Sequence, residues 1–272
     1  MRRIGTIGVI LATLVLLAAC GKTEAPEPPS SASGSSGGGD CTLTMGWDPW
    51  EPYHYLSPTG EIWGFDVQLV RAIGEQAGCD IEFSRDNWPT LLEKVSSGEV
   101  DFICGATLTP EREAVAYFSN PYRSEDFVLY VRSGDVSKWQ GDSLRALLEA
   151  GMRIGVTDAY VYGDEITALQ DDPQFADSFV LATAGDVNAT RLLDGVIDGY
   201  VEDIFVATAS IRRRGLEEQV AVHPLTLKST GQVRFMFSRA STSEELVGRF
   251  NRALEEIEAS GQYKEIENQY LR

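Results

Sequence analysis

Hydrophobic residues after position 40 follow two alternating patterns. Short continuous apolar runs, typical of buried strands, alternate with stretches in which apolar residues recur every three or four positions, as on one helix face. The predicted strands span 42–47, 81–83, 101–104, 127–131, 153–156, 179–182, 198–201 and 233–237. The predicted helices span 66–77, 87–97, 143–149, 160–170, 186–193, 204–214, 241–257 and 263–271, with a further helix starting at 109. This alternation predicts an α/β protein with parallel sheets, and its repetition in the second half indicates a second α/β lobe.

Capping residues mark several of the predicted helix ends. Asp66 is predicted to cap the first helix, and Ser241 with Glu244 resembles a capping box. Thr109 suits an N-cap, and Pro110 suits the first helical position, where a missing N–H has no consequence. Arg112 would then lie in the first turn of a helix that follows the apolar strand ending at Cys104.

The residues around this strand-to-helix turn favour a carboxylate-binding site. A helix start offers unpaired backbone N–H groups, and a guanidinium adds a planar bidentate donor. Gly105 permits close approach to the backbone, and Thr107 adds a hydroxyl group. The same residues also fit an ordinary turn in which Arg112 pairs with a surface acid.

The first 39 residues differ in composition from the rest. Residues 4–19 are apolar, follow Arg2 and Arg3, and are short for a membrane span, so they predict a signal peptide over residues 1–19. Residues 17–20 resemble the lipobox of bacterial lipoproteins, which implies a lipid on Cys20; a plain secretory signal with a chance cysteine is the alternative. Residues 20–39 are rich in Pro, Ser and Gly and predict a flexible tether.

Three further cysteines lie in the predicted first lobe. Cys41 and Cys79 each precede a strand, and two neighbouring parallel strands would place these starts side by side, which favours a disulfide in an oxidising compartment. Cys104 lies within an apolar strand and is expected to be a buried thiol.

Charge and composition argue against several classes of function. The net charge of −18 disfavours nucleic acid and anionic membrane surfaces as partners. The two histidines, His54 and His223, show no metal-ligand spacing, and no nucleophile motif stands out. We expect no metal, no cofactor and no catalysis.

An ordered set of motifs resembles the bacterial extracellular solute-binding proteins of family 3, which serve ABC importers of polar amino acids. The motifs that carry this resemblance are residues 48–53 (DPWEPY), 64–66 (GFD), 97–101 (SGEVD), 105–112 (GATLTPER), 118–122 (FSNPY) and 198–203 (DGYVED). The resemblance extends over roughly residues 41–272.

The resemblance implies a two-lobed periplasmic-binding-protein fold of type II, with a ligand cleft between the lobes. Lobe 1 would comprise residues 41–122 plus 233–272, and lobe 2 residues 127–228, joined by crossovers near 123–126 and 229–232.

The resemblance also implies roles for individual residues. Arg112 corresponds to the arginine that holds the ligand α-carboxylate, with Thr107 and Gly105 as its hydroxyl and backbone partners. Trp50 corresponds to an aromatic residue that packs on the ligand, and Asp203 to the acid that receives the α-ammonium group. Trp50 could instead be a packed loop residue, and Asp203 could cap the following helix.

Weaker candidates surround these residues. Asp48, Trp88 and Glu202 are candidates for contact with the ligand side chain, and Trp88 could equally pack within its helix. The chain departs from the family pattern after the Gly155-Val156 strand, where Asp158-Ala159-Tyr160 replaces a Gly-Thr pair that contacts the ligand. Tyr160 is therefore expected to intrude on the cleft.

The expected function is that of a monomeric, lipid-anchored, extracytoplasmic binding protein that delivers a polar amino acid to an ABC permease. Two alternatives share the fold: a periplasmic dehydratase of aromatic amino-acid synthesis, with Glu202 or Asp158 as its acid, and a ligand-sensing module without transport.

Overall fold

The computed structural model of this protein describes residues 41–228 and 231–271. The predicted signal peptide, the tether and Cys20 lie outside these residues. No helix within the described ranges combines the length and apolar character needed to cross a membrane.

Strands and helices alternate along the described chain. The strands are β1 (Thr42–Trp47), β2 (Tyr55–Leu56), β3 (Ile62–Trp63), β4 (Asp80–Arg85), β5 (Phe102–Thr107), β6 (Ala116–Phe118), β7 (Arg123–Glu125), β8 (Phe127–Arg132), β9 (Ile154–Thr157), β10 (Phe179–Ala182), β11 (Gly199–Asp203), β12 (Val220–Val222) and β13 (Gly231–Ser238). The α-helices are α1 (Phe65–Ala77), α2 (Trp88–Ser97), α3 (Pro110–Glu113), α4 (Leu144–Glu149), α5 (Asp164–Gln170), α6 (Asp186–Leu193), α7 (Ile204–Arg214), α8 (Glu244–Ser260) and α9 (Gln262–Tyr270).

Two sheets, of six and five strands, organise the described residues, and we call the elements around each of them a lobe. Strands β2 and β3 form a separate two-stranded sheet. The sheet of lobe 1 has the order β4-β1-β5-β13-β6, with β7 also paired to β13. The sheet of lobe 2 has the order β10-β9-β11-β8-β12. The chain leaves the first sheet between Glu125 and Phe127 and returns to it between Val222 and Gly231. This arrangement confirms the predicted two-lobed α/β fold.

Parallel pairing in lobe 1 brings two cysteines together. Strands β1 and β4 run parallel, with Thr42 opposite Asp80, so the residues before them are neighbours. The structure contains the expected disulfide between Cys41 and Cys79. Cys104 is a buried free thiol.

Helix α8 shows why the apolar period specifies the core of lobe 1. Its buried residues, which include Phe250, Leu254 and Ile257, recur at helical spacing and face the sheet. The ring of Phe250 packs against Phe102 and Phe237 at centroid distances of 5.7 and 5.0 Å.

Three predicted helix starts are wrong. Gly64, not Asp66, is the N-cap of α1, because the Asp66 side chain turns inward and lies 3.8 Å from Arg123. Ser243, not Ser241, caps α8, and the Ser241 hydroxyl donates to Asp101 instead. The helix expected from residue 160 begins at Asp164.

Candidate functional site

A narrow cavity lies between the lobes, with a volume of about 20 Å³, which is roughly the space needed by one water molecule. Its walls are formed by Asp48, Trp50, His54, Trp88, Gly105, Thr107, Arg112, Glu125, Phe127, Tyr160 and Val161. Seven of the nine residues expected to touch a ligand are in this set. The other two, Glu202 and Asp203, are not.

Arg112 is positioned by the turn between β5 and α3. The Thr109 hydroxyl caps this turn by accepting a hydrogen bond from the Arg112 backbone N–H at 3.3 Å. The guanidinium donates from Nη1 to the Thr107 carbonyl and from Nη2 to the Ala159 carbonyl, both at 2.9 Å. Burial lowers the pKa of Arg112 to about 10, while the charges of Glu125 and Glu111 oppose this shift.

Helix α3 has only four residues, so it supplies little of the dipole on which the expected carboxylate site partly relied. The capacity to bind an anion at this turn therefore rests on the guanidinium of Arg112. The hydroxyl of Thr107 and the backbone of Gly105 line the same wall.

Trp50 fills the space that Gly105 leaves open. Gly105 has φ +70°, and a Cβ there would lie 3.0 Å from the Trp50 ring and 3.2 Å from Nη2 of Arg123. The Trp50 indole N–H points to Glu202 of lobe 2, with an Nε1–Oε1 distance of 3.5 Å. The close approach permitted by Gly105 thus serves a side chain of this protein in the present conformation.

Lobe 2 reaches into the cleft through Ala159 and Tyr160. The Tyr160 ring stands edge-on to Trp88 at 5.8 Å and to Trp50 at 6.2 Å between centroids. The Trp88 indole N–H donates to the Ala159 carbonyl at 3.2 Å. Tyr160 lies in the cleft, as expected from its replacement of the family's Gly-Thr pair.

Asp203 is engaged within the protein. One carboxylate oxygen accepts hydrogen bonds from the backbone N–H groups of Phe205 and Val206 at 2.9 and 3.1 Å, so Asp203 caps α7. The Tyr53 hydroxyl donates to the same carboxylate at 3.3 Å. Burial raises its pKa. Asp203 therefore caps the helix, which was the alternative considered from the sequence. The binding of a ligand ammonium group by Asp203 stays a prediction.

Two other acids do line the cavity. Asp48 is buried, which raises its pKa to about 7, and the ring Nδ1 of His54 contacts its backbone carbonyl oxygen. Burial lowers the pKa of His54 to about 4, so this ring is neutral at neutral pH. Glu125, at the end of β7, is only 4% exposed. Sequence reasoning missed Glu125, although its place at the predicted crossover was a usable signal.

Arg123 provides a second buried positive charge next to the cavity. Its guanidinium lies 3.7 Å from the Tyr53 ring centroid and 5.0 Å from that of Trp50. Its Nε lies 3.8 Å from Asp66, which is fully buried. Burial raises the pKa of Asp66 to about 6, while the charge of Arg123 works against that shift. Arg123 thus contacts Trp50 and Asp66 together, and no local sequence pattern predicts this pairing.

No group of three or more His, Cys, Asp or Glu side chains within residues 41–228 and 231–271 could hold a metal ion. The cavity instead combines one guanidinium, two carboxyl groups and four large aromatic rings. Such a set can pair with both charges of a small zwitterion and stack on its apolar part.

Residues 43–272 match the bacterial extracellular solute-binding proteins, family 3. The chain belongs to this family. This membership confirms the resemblance that the sequence motifs indicated, and it supports a solute-binding role for the chain.

Individual relatives and solved structures are similar to this chain. The probable amino-acid-binding protein YxeM of Bacillus subtilis is 24% identical over 98% of this chain and 94% of its own length. The arginine-, lysine-, histidine-binding protein ArtJ from Geobacillus stearothermophilus superposes with a TM-score of 0.71 and 27% identity, over 85% of this chain and 95% of that one. A histidine kinase sensor domain with similarity to periplasmic binding proteins gives a TM-score of 0.74 at 21% identity, over 85% and 96%.

Proposed function

We propose that this protein captures an amino acid between its two lobes and delivers it to an ABC importer. One observation carries the proposal: Arg112 and the acids Asp48 and Glu125 line a single cavity whose walls come from both lobes. We further propose that Cys20 carries a lipid that holds the protein at the outer face of a membrane.

The charges of the cavity fit a zwitterion. Arg112 would pair with the α-carboxylate, because a guanidinium offers two parallel N–H donors to a carboxylate. Asp48 and Glu125 lie in the same cavity and would receive ammonium or guanidinium groups of the ligand. Several relatives, including ArtJ, are named for binding amino acids with cationic side chains, and we therefore propose such amino acids as the first candidates.

The aromatic walls would enclose the ligand carbon chain. Trp50, Trp88 and Tyr160 surround the cavity, and burial of a ligand among them removes water. Charge-assisted contacts are stronger in such a dry site than in water. Binding and release require no covalent chemistry, and we propose that the protein is not an enzyme.

The test begins with melting of the purified protein in the presence of each of the twenty amino acids. A true ligand at a hundred times its Kd stabilises the folded state by about 2.7 kcal/mol. We expect one or a few amino acids, those with a cationic side chain first, to raise the melting temperature.

Arg112→Ala then tests the carboxylate contact by calorimetry. Removal of one partner of a buried ion pair costs about 3–5 kcal/mol, which is a loss of roughly a hundredfold to several thousandfold in affinity. The matched control is Arg145→Ala, since Arg145 is half exposed and pairs with Asp172 in lobe 2 away from the cavity. Unchanged affinity in Arg112→Ala, or unfolding of the empty variant, would contradict the assignment. Turnover of prephenate or arogenate would favour the dehydratase alternative instead.

A further inference from the structure

The carbonyl oxygen of Ala159 joins the two lobes across the cleft. It accepts a hydrogen bond of 2.9 Å from Nη2 of Arg112 and one of 3.2 Å from the indole N–H of Trp88. Both donors belong to lobe 1, and Ala159 follows β9 in lobe 2. One backbone oxygen therefore engages two side chains that line the cavity.

The backbone at Ala159 is held in an unfavourable conformation. Ala159 has φ +58° and is the one non-glycine residue with positive φ in the described part of the chain. Side chains with a Cβ are strained in this region, and such strain persists only where surrounding contacts enforce it. The contacts present here are a turn hydrogen bond from the Tyr160 N–H to the Thr157 carbonyl at 3.3 Å, the two hydrogen bonds to the Ala159 carbonyl, and the packing of Tyr160 against Trp88 and Trp50.

The Ala159 carbonyl resembles half of a carboxylate. It presents an oxygen acceptor to Arg112, as a ligand carboxylate would, but it carries no charge. A carboxylate makes hydrogen bonds to a guanidinium that are roughly twice as strong as those of a neutral acceptor. A ligand carboxylate can therefore displace the Ala159 carbonyl from Arg112. A neutral amide makes hydrogen bonds no stronger than those of the carbonyl that it would replace.

We propose that residues 158–160 act as an internal competitor of the ligand, with the Ala159 carbonyl occupying donors that the ligand carboxylate takes over. The segment thereby lowers the affinity of the site for any ligand that needs the Arg112 donors. The identity of the displaced group rests on the proposed function, while the contact of the Ala159 carbonyl with Arg112 and Trp88 does not.

The competition has a quantitative consequence. If only the fraction of molecules with a free Arg112 binds ligand, the apparent Kd equals the intrinsic Kd divided by that fraction. Two hydrogen bonds of ordinary net strength shift such an equilibrium by about fivefold or more. Weakening the Ala159 contact should tighten ligand binding by that factor.

Two substitutions at Ala159 test the carbonyl contact separately from side-chain packing. Ala159 is exposed, so changing its side chain does not disturb the core. Ala159→Val places a β-branched residue where positive φ is strongly disfavoured, so the carbonyl should leave the cleft. Ala159→Gly tolerates positive φ and should keep the contact. Small-angle X-ray scattering of the ligand-free purified full-length protein should show a larger radius of gyration for the valine variant than for wild type and the glycine variant.

Calorimetry with the amino acid found in the melting screen completes the test. Ala159→Val should bind about fivefold or more tightly than wild type, and the amide of the same amino acid should gain at least as much. If the valine variant fails to melt cooperatively, Trp88→Phe replaces it in the scattering measurement, since it keeps a ring but removes one donor.

Two results would overturn the proposal. If neither Ala159→Val nor Trp88→Phe has a larger radius of gyration than wild type, the Ala159 contact does not close the cleft. Weaker or equal binding by a folded Ala159→Val would show that the carbonyl forms part of the ligand site. If no amino acid binds wild type, the proposed function fails, and the scattering comparison still decides whether the Ala159 contact closes the empty cleft.

Discussion

At the scale of single residues, Glu202 combines deep burial with an ionisable group. Burial raises the pKa of its side chain to about 8, helped by the neighbouring charge of Asp203 and opposed by the hydrogen bond from the Asp203 N–H. The side chain is therefore largely protonated at neutral pH. A free glutamate loses its proton near pH 4.5, so between these values the folded protein holds more protons than the unfolded chain. Stability consequently falls as pH rises from about 4.5 through 8.

Glu202→Gln should remove this pH dependence, because a neutral amide has the same shape and needs no proton. We expect the variant to be more stable than wild type by about 2 kcal/mol or more at pH 8, and the difference to vanish near pH 5. Urea unfolding of both ligand-free proteins at pH 5 and pH 8 measures this difference in the free energy of unfolding. Glu256→Gln, at an exposed position on α8, is the control and should show no such trend. Equal stability of wild type and Glu202→Gln at pH 8 would contradict the raised pKa.

Asp48 gives a pH effect on binding with the opposite sign. Its pKa of about 7 reflects burial, so acidification protonates it and removes a partner for a cationic ligand group. If the ligand carries a positive side chain, its affinity should fall as pH drops below 7, by up to about tenfold per unit. Calorimetry between pH 5.5 and 8.5 should show this slope in wild type and a flat profile in Asp48→Asn. A slope that persists in Asp48→Asn would assign it to another group, such as Glu125.

At the scale of elements, the paired starts of β1 and β4 carry a covalent link. The disulfide between Cys41 and Cys79 closes a loop with a sequence separation of 38 residues. In the chain-entropy account, a loop of this length stabilises the fold by about 3–4 kcal/mol. Chemical unfolding of the Cys41→Ser, Cys79→Ser double variant should show a loss of this size.

Cys104→Ala is the matched control for the disulfide variant, because it removes a buried thiol and leaves the link intact. It should cost about 1 kcal/mol or less, in keeping with the loss of one small buried group. Peptide mapping of wild type without reductant should recover Cys41 linked to Cys79. Recovery of Cys104 in a disulfide would refute the assignment.

The elements predicted correctly from the sequence are those with a clear apolar period. Helices α1, α2, α7 and α8 are long enough for that period to repeat, and Gly78, Gly98 and Gly215 end three of them in the left-handed conformation. Strands β2, β3, β6, β7 and β12 contain only two or three residues each, so they show no period. Their pairing depends on partners distant in sequence.

The candidate site was predictable where a motif fixes the backbone and less so where distant side chains meet. Thr109, Pro110 and Arg112 are local to one turn, and the structure places Arg112 on the cavity wall. Asp66 was taken for a helix cap because nothing near it in sequence reveals the buried guanidinium of Arg123.

At the scale of the whole molecule, the binding unit would be attached to a membrane through a segment outside the described residues. The lipobox resemblance predicts that Cys20 carries the lipid. Cys20→Ser should shift the protein into the soluble extracytoplasmic fraction or leave it as an unprocessed precursor. Fractionation followed by immunoblotting measures this, with Cys104→Ala as a cysteine control. A processed Cys20→Ser form that stays with the membrane would contradict the prediction.

The cross-cleft contacts of Trp50 and Trp88 also give the protein an optical signal of its own motion. Each indole N–H donates to an acceptor in lobe 2, Glu202 and the Ala159 carbonyl respectively. The other three tryptophans, at 47, 63 and 139, make no such inter-lobe hydrogen bond in the described structure. Separation of the lobes would expose the first two rings to water and exchange their partners for solvent. Intrinsic fluorescence should therefore shift to longer wavelength on opening, so that lobe movement can be timed by stopped flow without any added label.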